Sequence, residues 1–192
     1  MKLLRIKCIR IYILIVGAGI GATASNAQKH NFRIPEINFS YGLAVYETVL
    51  PEGYKYNPLF IVASCSVWKK GGFTLYSEWQ FAKLQNAAVQ KKADFESGIN
   101  IGLKYSLPIN PILSISFAGG VGPHFITAET ERQAAGFIFS DNIEAGIYIK
   151  PPDHDWKFHF TGRFRHISNA GLKRPNGGIN NGFILIGVAK SI

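Results

Sequence analysis

A chain of 192 residues allows one domain with its processing segments and excludes a multidomain assembly. Only 17% of the residues are charged, against about 25% in an average soluble domain, while 47% are hydrophobic and 13% aromatic. A mean hydropathy of +0.08 excludes both a disordered chain and a bundle of transmembrane helices, which leaves a β-rich protein with a surface suited to lipid.

Met1 to Ala27 reads as an export signal. Lys2, Arg5, Lys7 and Arg10 form a basic start, Ile11 to Ile20 an apolar core, and Ser25-Asn26-Ala27 a small-residue cleavage site. The apolar run is well short of the ~20 residues a helical span needs, so the segment is expected to leave, with residues 28–192 forming one outer-membrane domain. Its removal takes four basic residues and no acidic one, so the formal net charge falls from +9 to +5. No run of Lys and Arg interleaved with aromatics remains, and nucleic acid is not an expected partner. Cys8 leaves with the signal and Cys65 stays alone, so no intrachain disulfide is expected.

Beyond the signal, period-2 alternation recurs and helical periodicity does not. The predicted strands are Glu36 to Thr48, Leu59 to Trp68, Gly72 to Leu84, Asp94 to Leu107, Ile112 to Phe125, Gly136 to Lys150, Trp156 to Ile167 and Gly182 to Ala189. Most exceed the usual strand of a soluble protein and suit a tilted membrane crossing, which takes ~9–11 residues. The connections after strands two, four and six read as short turns, and the others as longer loops. That asymmetry belongs to outer-membrane barrels, and eight strands close into a barrel whose interior side chains fill.

Each strand has a greasy face and a charged one. Phe73, Leu75, Trp79 and Phe81 alternate with Thr74, Tyr76, Glu78 and Gln80; Phe95, Ile99, Ile101, Leu103 and Tyr105 alternate with Glu96, Asn100, Lys104 and Ser106. A charged face turned outward would give a soluble carrier barrel, and one turned inward a membrane barrel. Alternation alone does not choose. Loop asymmetry, strand length and low charge favour an all-β, eight-stranded antiparallel transmembrane β-barrel with a filled polar interior. Glu78, Glu96, Lys104, Glu144, Lys150, Lys157, Arg163 and Arg165 are then expected as ion pairs in the lumen.

The seventh strand carries the chemistry. Counting by twos from Trp156 gives Phe158, Phe160, Gly162, Phe164, His166 and Ser168, so His166 and Ser168 continue the apolar face, about 6 to 7 Å apart at the backbone. A polar pair on a lipid-facing surface is expensive unless it acts there, and a His beside a Ser is the minimum for a nucleophile with its general base. The strand runs outward from its short turn, which sets the pair at the outer leaflet.

Arg165-His166-x-Ser168-Asn169-Ala-Gly171-x-Lys173-x-Pro175-Asn176-x-Gly178-Ile179 resembles the signature of the PagL family, the outer-membrane lipid A 3-O-deacylases. The resemblance implies hydrolysis of the 3-linked acyl ester of lipid A without metal or other cofactor, in the cell outer membrane. By the family motif Ser168 would be the nucleophile and His166 the base. Asn169 and the backbone at Gly171 would hold the oxyanion, and Lys173 and Arg174 would meet lipid A phosphates. The expected partners are lipopolysaccharide and outer-membrane lipids, with a homodimer left open.

Where the family has a Glu directly after Gly-Ile, this chain has Asn180. An Asn accepts a hydrogen bond but brings no charge. Asn180 shares parity with Ile184, Ile186 and Val188, so it can lie beside His166. A catalytically weak or inactive barrel with a lipid-binding or structural role is the competing expectation, and Glu129 or Glu131 is a further candidate for the missing acid.

Overall fold

The computed structural model describes residues 36–48, 54–86 and 93–192. The expected export segment, residues 1–27, lies outside them. Eight strands, β1 (Glu36–Thr48), β2 (Tyr54–Lys70), β3 (Phe73–Asn86), β4 (Ala93–Pro108), β5 (Leu113–Ile126), β6 (Gly136–Ile149), β7 (Trp156–Ser168) and β8 (Ile179–Ser191), form a meander. Each pairs antiparallel with the next, and β1 pairs with β8, which closes the barrel and leaves no sheet edge. All eight coincide with predicted strands; β8 begins three residues earlier than expected, at Ile179, and β2 and β3 also run further than the alternation suggested. Their ladder continues through Tyr54↔Asn86 across a register shift between Tyr56 and Phe60. A bulged register breaks the period-2 pattern without breaking the pairing, which is why the sequence hid this extension.

The turns follow from residue chemistry. Gly71 and Gly72 have φ of 56° and 87°, the left-handed pair that a two-residue hairpin of matching twist requires. Between β4 and β5, Asn110 Oδ1 accepts from the amides of Ile112 and Leu113 at 2.9 and 2.8 Å. At the opposite end the β5–β6 and β7–β8 connections, residues 127–135 and 169–178, are longer. These two carry most of the expected loop asymmetry, because the lengthened β2 and β3 shorten the other pair.

The structure decides the question of faces. Outward positions are apolar and open, as at Ile101 (62% exposed) and Ile143 (64%), while inward positions are buried. Aromatic and aliphatic side chains therefore cover the wall, and the charges lie inside it: this is a membrane barrel. A soluble carrier would need the reverse.

Among the described residues four lumen glutamates are matched by four cations. Glu36 pairs with Lys104 and Lys157, Glu78 and Glu144 share Arg163 at 2.6 and 2.7 Å, and Glu96 takes a two-pronged bond from Arg165 at 2.8 and 3.1 Å. Lys150, expected among them, is exposed just beyond β6, since the strand ends at Ile149 and the following turn carries it out. His124, near the end of β5, is buried between Glu96 and Asn100 at 2.7 and 3.0 Å. Gly98 makes its room, because any Cβ there would sit 2.1 Å from the ring. Above Arg165 the filling changes character. Phe60 stacks on Phe183 with centroids 4.2 Å apart, and Val62, Leu84, Ile126, Ile138, Ile167 and Ile179 complete an apolar plug under the long loops.

Candidate functional site

The end of β7 and the start of β8 bring the predicted residues together. His166 pairs in register with Asn180, and both side chains are on the outward face. Asn180 Oδ1 accepts from His166 Nδ1 at 2.7 Å. That bond fixes the tautomer with the proton on Nδ1 and leaves Nε2 free to accept one, the form a general base needs. Ser168 shares the face one step further along β7, opposite Phe139. Among the described residues no hydrogen bond joins Ser168 to His166, so a rotamer change at the serine must precede proton transfer.

The ring is seated by a residue that the motif contains but whose role the sequence did not reveal. Gly178 has φ of 68°, and a Cβ built on it would lie 2.5 Å from His166 Cε1 and 3.1 Å from Nε2. Only glycine permits both that backbone and that approach.

Residues 169–178 are held from within. Asn169 is buried; its side-chain amide donates to Lys173 O at 2.7 Å, and its Oδ1 accepts from Gly171 N at 3.0 Å. Its own backbone N–H donates to Asn176 Oδ1 at 2.9 Å. Both groups expected to hold an oxyanion are thus engaged inside the loop in this structure. The β5–β6 loop braces the outside: Ala134 N donates to Pro175 O at 2.9 Å, Arg132 Nη2 donates to Gly177 O at 2.8 Å, and Gln133 bridges to Asn176. Lys173 and Arg174 are exposed. So are Glu129 and Glu131, and neither is hydrogen-bonded to His166, so the structure does not bring them in as the missing acid.

Just below the His166–Asn180 row the wall is hollowed. Ala145, Gly162 and Gly182 form its floor, and Ile143, Phe164 and Ile184 its sides, in a trough of about 670 Å³ open to the lipid side. Register explains it: Gly182 is opposite Phe164, and Gly162 opposite both Ala145 and Ile184, so three positions with little or no side chain adjoin on one face. The sequence showed each small residue but not that three strands bring them together.

The family described as lipid A 3-O-deacylase (PagL) matches residues 61–189. The chain belongs to this family. Its fold agrees with solved structures: the outer-membrane enzyme PagL, at 16% identity and a TM-score of 0.52, covers 79% of this chain and 97% of its own. Neisserial surface protein A, at 7% identity and a TM-score of 0.57, covers 85% of this chain and 100% of its own. No curated protein matches significantly. As a PagL-family barrel it carries its whole Ser/His/Asn cluster on one chain, and nothing in the site calls for the homodimer left open by the sequence. Among the described residues no group of three His, Cys, Asp or Glu side chains is placed to hold a metal ion.

Proposed function

We propose that the protein is a lipid A 3-O-deacylase of the outer membrane, working by Ser168 and His166 at the outer leaflet. The observation that carries this reading is the outward-facing row of His166 and Asn180, joined at 2.7 Å, directly above an apolar trough. His166 takes the hydroxyl proton as Ser168 Oγ attacks the ester carbonyl. The tetrahedral intermediate collapses to an acyl-serine, and the departing sugar hydroxyl takes that proton from His166. Water then attacks the acyl-serine with His166 again as base, and the fatty acid leaves. The trough is the right shape and polarity for the scissile acyl chain, which enters it sideways from the bilayer.

In this reading Asn169 and the Gly171 amide stabilise the oxyanion by exchanging their intraloop bonds for the developing charge. Lys173 and Arg174, exposed beside the site, face the phosphates of lipid A. Export by residues 1–27 delivers the chain to the outer membrane.

The competing reading is an inactive, lipid-binding barrel, favoured by the absence of a carboxylate at position 180. Mass spectrometry of lipid A from a Gram-negative host expressing wild type or Ser168→Ala separates the two. Loss of one hydroxyacyl chain with wild type alone is expected. Unchanged lipid A in both, with the barrel folded in the outer membrane, overturns the deacylase reading in favour of the inactive one.

A further inference from the structure

The outward face of β6 reads Phe137, Phe139, Asp141, Ile143, Ala145 and Ile147, so one acid interrupts an apolar row. Its inward neighbours Ser140 and Asn142 are buried, which confirms that Asp141 belongs to the lipid side. A carboxylate on that side is costly unless it meets a polar partner. In register Asp141 is opposite Val121 on β5 and His166 on β7. Directly opposed residues of an antiparallel pair hold their Cβ atoms about 4.5–5.5 Å apart.

His166 therefore stands between two polar neighbours in one row across three strands. Asn180 accepts the Nδ1 proton and orients the ring but brings no charge. Asp141 is the neighbour that brings one. We propose that Asp141 is a positioning residue that supplies, from β6, the negative charge that position 180 lacks. It stabilises the imidazolium formed each time His166 takes the Ser168 proton. At the rim of a low-dielectric lipid phase a charge at this range acts strongly, because little water screens it. The assignment rests on the Ser168/His166 reading above.

Its test is the rate at which a fluorophosphonate labels Ser168 in purified barrels in detergent. Labelling forms the Oγ–P bond, expels fluoride and passes the hydroxyl proton to His166, so it reports activation of the serine without any lipid A recognition. Asp141→Asn is expected to slow labelling roughly 100-fold, with Asp141→Glu recovering most of it. In an Asn180→Glu background, where a carboxylate reaches His166 from the other side, Asp141→Asn is expected to slow labelling less than about threefold. Folding of each variant is read from heat-modifiable gel mobility.

Undiminished labelling of Asp141→Asn overturns the proposal. So does a loss that Asn180→Glu fails to rescue in a folded barrel, because that is the mark of a structural role. If wild type is not labelled and Asn180→Glu is, the Ser/His site stands and Asp141 does not supply the charge. If neither is labelled, the Ser/His reading itself fails, and the proposal with it.

Discussion

Gly178 and Asn180 show how much of this site depends on single atoms. Gly178→Ala places a methyl 2.5 Å from His166 Cε1, on a backbone with φ of 68°. Deacylation is expected to fall at least about 100-fold while the barrel still folds, since the nearest clash is with the ring; lipid A profiles and gel mobility measure the two halves. Asn180→Glu puts a charge-bearing acceptor on the Nδ1 proton of a ring to which Asp141 already brings charge, so a rate gain of less than about threefold is expected in the same assay. A gain of about tenfold or more would mean that His166 lacks that charge in the wild type and would count against Asp141. His166 and Ser168 were legible because strand parity puts them on one face of β7, whereas Asn180 was singled out by the family resemblance, its parity only allowing it to lie beside them. Gly178's role was not legible, because close approach between a loop backbone and a strand side chain has no period.

At the scale of elements, the trough is a product of three strands in register. Gly162 has space outward, with its nearest neighbour for a Cβ being Ala145 O at 3.9 Å, so Gly162→Leu fills the trough without strain. Hydrolysis of long-chain lipid substrates is expected to drop at least about tenfold, while a short soluble ester such as p-nitrophenyl acetate is turned over as before. Equal loss on both substrates would show that the trough does not hold the acyl chain. The loops show the same dependence. Residues 127–135 look like an ordinary surface loop in sequence, yet through Arg132, Gln133 and Ala134 they brace the segment that carries Asn169 and Gly178.

The whole barrel is stabilised by opposing fillings on its two faces. Arg165, fully buried, holds Glu96 in two bonds and lies 5.2 Å from the rings of both Phe60 and Phe183, at the boundary between ion pairs and apolar plug. Arg165→Met keeps the bulk but takes both guanidinium bonds from the buried Glu96 carboxylate. A loss of about 3–5 kcal/mol in urea unfolding in detergent micelles is expected. Adding Glu96→Gln should recover much of it, since the buried charge that Arg165 balanced then disappears. On the lipid face Ile101→Arg, near the middle of β4, is expected to destabilise the inserted barrel by about 2–4 kcal/mol, a penalty absent at loop positions such as Leu172.

Eight strands and the sharing of one face of β7 by His166 and Ser168 follow from the sequence alone. Each depends on local periodicity and turn chemistry, which neighbouring residues carry between them. Which face meets lipid, the exclusion of Lys150 and inclusion of His124 in the lumen, the apolar plug, the trough and the alignment of Asp141 with His166 were decided only by closure of the barrel. The reason is that inter-strand register is a relation between residues far apart in the chain. A shift of one residue would turn every side chain to the other face, and only the full set of ladders, β1 against β8 included, fixes it.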